Sequence, residues 1–123
     1  MRRIKLVVTT AADGTATAFM TRTSGKICSI HYIKDAQTAF ADGVDFTVTA
    51  EETGETIWNE ANVNASAARY PRIPVQTPQG AAVLFAAGGT AVTDKIAISN
   101  DRLKFVIAQG GNAKRGTFYA VVE

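Results

Sequence analysis

The fold class is decided by the stretch Ala39-Phe-Ala-Asp-Gly-Val-Asp-Phe-Thr-Val-Thr-Ala-Glu-Glu-Thr-Gly-Glu-Thr-Ile-Trp58. Every second position in its centre is apolar: Val44, Phe46, Val48 and Ala50. The positions between them are polar: Asp45, Thr47 and Thr49. This period of two predicts a half-buried β-strand, and the glycines on either side predict turns. We expect the apolar set to face a core and the polar set to face solvent or a neighbouring subunit.

Short strands separated by turn residues recur along the rest of the chain. The pattern predicts strands over residues 4–10, 15–21, 26–34, 44–50, 55–58, 93–99, 102–108 and 115–122. Asp13-Gly14 and Ser24-Gly25 are turn signals, and Asp-Gly in particular is typical of a two-residue hairpin. A last hairpin, turned at residues 109–112, would place two apolar rows opposite each other: Leu103, Phe105 and Ile107 against Phe118, Ala120 and Val122.

Three segments have no clean period. Residues 59–66 are polar and predict a loop with room for one helical turn, and residues 70–75 hold two prolines, which confine them to an edge or a crossing segment. Residues 80–89 form an apolar run that fits a strand, a short helix or an assembly loop. The regular spacing of turns predicts a single-domain antiparallel β-sandwich or barrel, jelly-roll-like and with little helix. That domain would span residues 1–123, with a short N-terminal arm.

Composition excludes several classes of protein. With 123 residues and 46% hydrophobic content, the chain fits one domain with a substantial core, and 20% charged residues is low enough to suggest burial in an oligomer or larger assembly. A net charge of +2 is too small to predict nucleic-acid binding. The apolar run near the N-terminus is shorter than a signal peptide needs, and no run is long enough to span a membrane. We therefore expect a protein that is made and kept in the cytoplasm.

The sequence predicts no catalytic nucleophile. His31 is the sole histidine and Cys28 the sole cysteine, so neither a disulfide within the chain nor a multi-histidine metal site can form. We expect Cys28 to be buried on one strand face with Ile30 and Tyr32. His31 would lie on the opposite, half-exposed face, which separates it from the thiol.

Acids and glycines do not form recognisable sites either. The acidic residues near the central strand lack the alternating spacing of a calcium loop, and nothing specifies a glycosidase cleft: Asp42, Asp45, Glu51, Glu52 and Glu55. Gly88-Gly89 and Gly110-Gly111 are not followed by the Lys-Ser/Thr of a phosphate loop. We predict no enzyme activity, no cofactor, and no catalytic, cofactor-binding or metal-binding residue.

Two groups of basic and aromatic residues are candidates for partner binding. They are Arg2, Arg3 and Lys5 near the N-terminus, and Arg69, Tyr70 and Arg72 in the proline-containing segment. Basic groups scattered over separate elements do not predict nucleic-acid binding, which uses one face with interleaved aromatics. Arginine pairs well with carboxylates, so we expect contacts to an acidic protein surface.

Several phrases together resemble a known family. They are Phe40-Ala-Asp-Gly-Val-Asp-Phe-Thr-Val-Thr-Ala50, Glu52-Thr-Gly-Glu-Thr-Ile-Trp58, Asn62-Val-Asn-Ala-Ser66, Tyr70-Pro-Arg72, Gly80-Ala-Ala-Val-Leu-Phe-Ala-Ala-Gly-Gly-Thr-Ala-Val92, Asn100-Asp-Arg-Leu-Lys-Phe-Val-Ile-Ala108 and residues 110–122. This set is similar to small structural proteins encoded among the virion genes of tailed bacteriophages. The resemblance covers most of the chain and carries no catalytic motif.

That resemblance implies a capsid decoration or cement protein, located on the capsid surface of the virion. Its expected partners are the major capsid protein and copies of itself, as a trimer or dimer, with no specific nucleic acid and no membrane. Two alternatives stay open. One is another virion part, such as a head–tail joining or tail/fibre-attachment protein; the other is a carbohydrate-binding host-adhesion β-module, which would use Trp58, Tyr70 and Tyr119 as exposed aromatics.

Overall fold

The computed structural model describes residues 1–123 and consists of ten β-strands without a helix. The strands are β1 (Arg2–Thr9), β2 (Ala16–Phe19), β3 (Thr23–Lys34), β4 (Asp45–Ala50), β5 (Thr56–Glu60), β6 (Ala67–Arg69), β7 (Arg72–Pro74), β8 (Thr93–Asp101), β9 (Leu103–Ala108) and β10 (Arg115–Val122). The predicted central strand is β4, and its two faces are as expected: Phe46 and Val48 are fully buried, while Thr47 and Thr49 are half-exposed.

The strands form two antiparallel sheets. The first sheet has the order β1-β10-β3-β8-β7, with β6 also paired to β3, and the second has the order β2-β9-β4-β5. Their inner faces pack around one hydrophobic cluster to which both sheets contribute. This confirms the predicted all-β sandwich, because both sheets keep free edge strands and do not close into a barrel.

An aromatic cluster fills the centre of the sandwich. Phe118 on β10 and Phe46 on β4 meet edge to face across the sheets, with ring centroids 5.0 Å apart, and Phe105 on β9 lies 4.8 Å from Phe118. Tyr32 on β3 packs against both Phe46 and Phe118, and Phe40, in the connection from β3 to β4, stacks on Tyr32. Burial, with a smaller effect of the Asp35 carboxylate, raises the pKa of Tyr32 to about 12.

Two corners of the chain interlock at one end of the sandwich. Thr10, which follows β1, is buried and donates from its backbone N to Lys114 O at 2.8 Å, and its hydroxyl donates to Gly111 O at 2.6 Å. Gly110 N donates to Gly14 O at 2.9 Å, and a Cβ on Gly110 would lie 2.8 Å from the Thr10 methyl group. Close backbone approach therefore requires glycine at this corner.

Both predicted hairpins at this end are wrong in the same way. β1 pairs with β10 in the first sheet, whereas β2 pairs with β9 in the second, so the Asp13-Gly14 turn carries the chain from one sheet to the other. Residues 109–112 likewise connect β9 in the second sheet to β10 in the first. The predicted apolar rows do face each other, but across the core and not within a hairpin.

The Ser24-Gly25 turn was also predicted wrongly, because β3 runs straight through it. Gly25 adopts φ +137°, and a Cβ there would collide with the Glu123 carbonyl oxygen. A second irregularity shifts the register between Val121 and Val122, so that Ile27 points into the core with Ile30. Cys28, predicted to be buried with Ile30 and Tyr32, is consequently half-exposed and outside the core.

The structure also defines the N-terminal segment, the proline-containing segment and the two segments without a clean period. Residues 2–9 form β1, so the predicted N-terminal arm is part of the first sheet. The proline-containing segment forms β7 at an edge of that sheet, as predicted. Residues 61–66 form a loop without a helical turn, and residues 80–89 form tight turns, neither a regular strand nor a helix.

We expect Gly116→Ala to destabilise the fold, because a Cβ there would lie 2.5 Å from Phe40 Cε2 and 2.9 Å from Tyr32 Cε1. Overpacking at such a site costs about 1–3 kcal/mol, measurable as a lower urea midpoint. Thr117→Ala, next to it but facing outward, is the control. The double variant Gly116→Ala/Phe40→Leu should recover part of the loss; an unchanged midpoint in Gly116→Ala would contradict this packing.

We expect Asp35 to stabilise the fold except in strong acid. Its carboxylate accepts from the backbone N of Thr38 and Gln37, at 2.8 and 3.1 Å, and these bonds lower its pKa to about 2, with a smaller contribution from Arg115. The stabilisation is full above the ordinary pKa of 3.8 and is lost as the pH falls through about 2. Urea unfolding of Asp35→Asn and the unsubstituted protein should differ at pH 7 and converge near pH 2; a constant difference would contradict the assignment.

Candidate docking face

The outer faces of the two sheets differ in chemistry. The register across the first sheet places three outward rows side by side: Arg3–Val121–Ser29, Lys5–Tyr119–His31 and Val7–Thr117–Ile33. The rows on the outer face of the second sheet are Thr17–Val106–Thr47–Asn59 and Phe19–Lys104–Thr49. The first face is aliphatic, aromatic and basic. The second has three threonines among these seven positions, and its exposed aromatic, Phe19, is covered by the Arg102 guanidinium 4.0 Å from the ring centre.

A shallow groove of about 260 Å³ lies in the outer face of the first sheet, which we call the docking face. It is lined by Arg3, His31, Ile33, Tyr119 and Val121. Ile33 is 47% exposed although it is a large aliphatic side chain in the middle of a sheet. An exposed apolar patch bordered by charge is typical of an interaction surface.

Contacts within the chain hold the walls of this groove. The Ser29 hydroxyl and His31 Nε2 are hydrogen-bonded at 3.0 Å, and the Arg3 guanidinium lies 5.3 Å from the centre of the Tyr119 ring. Tyr70 packs edge to face on His31, with ring centroids 6.3 Å apart, and is 62% exposed. Because these side chains are already positioned, binding a partner here loses little side-chain entropy.

The structure brings together three of the six predicted partner-binding residues. Arg3 and Lys5 on β1 and Tyr70 after β6 all lie on the docking face, although they are far apart in sequence. Arg2 points the other way and donates a hydrogen bond to the Thr23 hydroxyl. Arg72, at the edge, donates to Cys28 O at 3.1 Å and to Pro71 O at 2.7 Å, so its guanidinium is partly used within the fold.

Arg69 has a structural role. Its Nε and Nη2 donate to Glu60 Oε1 and Oε2, both at 2.8 Å, and this bidentate pair joins β6 of the first sheet to β5 of the second. The pair lowers the pKa of Glu60 and raises that of Arg69. Trp58 Nε1 also donates to Glu60, and the Trp58 side chain is buried, 6% exposed, which corrects its expected place among exposed aromatics.

Other titratable groups serve the fold. Arg102 makes a bidentate pair with Glu51, and Asp45 accepts from the backbone N of Asn62. No group of three or more His, Cys, Asp or Glu side chains is arranged to hold a metal ion. No helix of sufficient length and hydrophobicity to cross a membrane is present.

The sequence did not single out the apolar members of the docking face. Val7, Ile33 and Val121 each lie within a predicted strand, and only the register shows that they lie together on the outward side. The available signal was weak: Val7 and Ile33 stand at positions where alternation calls for a polar residue.

Comparison with known proteins leaves the family open. No family model matches the sequence, and no curated protein matches it. One solved structure, the crystal structure of FLHE, aligns with 97% of this chain and 94% of that chain, at 9% sequence identity and a TM-score of 0.44. A similarity at that level does not bear on function. None of these findings concerns a phage protein, so the resemblance to phage virion proteins stays a prediction.

We expect Arg69→Ala and Tyr70→Ala to have different effects on stability. Loss of the Arg69–Glu60 pair, which is partly solvent-exposed, should lower the free energy of unfolding by about 0.5–1 kcal/mol. Tyr70→Ala should change it by less than about 0.5 kcal/mol, because surface substitutions have small effects. Urea unfolding of both variants checks this; equal losses would contradict the separation of structural and surface roles.

Proposed function

We propose that this protein is a non-enzymatic structural protein of a phage virion, a capsid decoration or cement protein. It binds the shell of the major capsid protein, and copies of itself as a trimer or dimer, and stabilises that shell. Two lines support the proposal: the sequence phrases that resemble tailed-phage virion proteins, and the chemistry of the docking face. The face is the observation that carries it, because exposed aliphatic and aromatic side chains lie beside basic residues there, whereas hydroxyl and amide side chains are more frequent on the other outer face.

The docking face combines the two properties that binding to a protein shell requires. Its aliphatic and aromatic side chains provide apolar area to bury, which is the main source of affinity. Arg3 and Lys5 lie along its β1 side and attract carboxylates on the partner, which favours encounter and orientation. A rigid two-sheet body presents both without reorganising.

The alternatives differ from this proposal in measurable ways. A head–tail joining or tail/fibre-attachment protein would use a similar surface, but its copy number in the particle would be far below that of a shell protein. A carbohydrate-binding adhesion module would have to rely on Tyr70 and Tyr119, because Trp58 is buried. Mass spectrometry of purified particles gives the copy number, and glycan-array binding tests the adhesion module.

We expect Lys5→Glu to weaken binding to capsids that lack this protein, while Lys104→Glu leaves binding unchanged. Lys5 lies on the docking face and Lys104 on the opposite face, and neither forms an ion pair within the chain. Reversing one exposed charge should reduce affinity roughly three- to fivefold at low salt, and less at high salt. Co-sedimentation with capsids measures this.

Two results would contradict the proposal. One is failure of the unsubstituted protein to bind capsids lacking it, together with thermal stability of those capsids equal to that of complete ones. The other is equal weakening by Lys5→Glu and Lys104→Glu, which would mean that the docking face has no special part in binding.

A further inference from the structure

Residues 75–92 form a preformed double-hairpin loop beyond the edge of the first sheet. Three valines join its two halves: Val75 N donates to Val92 O, Val92 N to Val83 O, and Val83 N to Val75 O, at 2.7–2.8 Å. Each half then closes its own turn, through Thr77 with Gly80 and through Ala86 with Gly89. The loop therefore has a defined shape, which reduces the entropy lost when it binds.

The tip of the double-hairpin loop is apolar and unusually exposed. Phe85 is 76% exposed and Leu84 is 41% exposed. No charged residue occurs between Arg72 and Asp94, so the whole loop can be buried without leaving an unpaired charge away from water. Phenylalanine is enriched and charged residues are depleted in the cores of protein interfaces, so Phe85 is a candidate anchor residue.

The docking groove matches this tip in size and chemistry. Its volume of about 260 Å³ can take a phenylalanine ring with part of a neighbouring side chain, and three of its five lining residues, Ile33, Val121 and Tyr119, are apolar or aromatic. The Arg3 guanidinium, already beside one aromatic ring, can also face the ring of Phe85. Within one chain the loop and the groove do not meet, because Phe85 and Ile33 both remain exposed.

We propose that the tip of the double-hairpin loop of one copy binds in the docking groove of a second copy. The contact joins two different patches of the same chain, so it is head-to-tail. A pair joined by one such contact keeps one free loop and one free groove, so the assembly closes into a ring or continues into an array, depending on the rotation between copies. Lys5 does not line the groove and stays available to another partner. This inference concerns purified protein and holds whether or not the virion proposal does.

A mixing experiment tests the head-to-tail contact. Phe85→Lys removes the anchor, and its charge would be repelled by Arg3; Ile33→Lys blocks the groove. By sedimentation velocity, the unsubstituted protein should show a mass that rises with concentration. Each variant alone should remain a single chain, with self-association weakened at least about thirtyfold, the loss expected for a buried aromatic anchor. An equimolar mixture of the two should form a complex of two chains and stop there, because it contains one intact loop and one intact groove.

Matched controls separate this contact from a general effect of charge. Gln79→Lys adds the same charge to the turn of the other half of the loop, and Thr17→Lys adds it to the outer face of the second sheet; both should assemble normally. The proposal is overturned if the unsubstituted protein stays a single chain at high concentration. It is equally overturned if either variant still assembles alone, or if the mixture contains only single chains. Capsid binding is measured separately, so its failure would leave this inference standing.

Discussion

The contact between Phe46 and Phe118 at the centre of the sandwich is the interaction on which the remaining structure depends. These two rings belong to different sheets, and the edge-to-face packing between them sets which side of β4 and β10 faces inward. Side chains alternate along a strand, so a shift of one residue in either strand would turn its core residues outward. Fixing Phe118 inward therefore fixes Tyr119 outward, on the docking face, and the same constraint places His31 beside it on β3.

Most strands could be predicted from the sequence, except the short strand β6, but their assignment to sheets could not. Alternation is a local property, and it located β4 and its buried residues Phe46 and Val48 correctly. A turn signal shows that the chain reverses, without showing whether it stays in one sheet. That choice depends on distant contacts such as the two hydrogen bonds between Thr10 and Lys114. These residues are about a hundred positions apart in sequence, and the bonds bring both sheet-crossing corners together.

The sequence identified some residues of the docking face by their type, but it did not show that they lie together on one face. Basic residues near the N-terminus and around Tyr70 stood out, yet Arg69 belongs to an internal pair because Glu60 lies on a strand of the other sheet. The groove could not be predicted from the sequence, because it exists only when β1, β10 and β3 lie side by side. The double-hairpin loop was ambiguous because an apolar run between glycines has similar hydropathy whether it is buried or, as at Phe85, exposed.

A cryo-EM map of the intact virion tests the central claim, that the protein is a non-enzymatic component of the capsid surface, most directly. We expect two-sheet domains of this fold on the outside of the shell at a regular set of positions, with the first sheet's outer face buried against neighbours and the threonine-lined face in solvent. Absence of the domain from the shell would contradict the proposed location. A map in which the threonine-lined face is buried and the docking face is free would contradict the account of the binding surface.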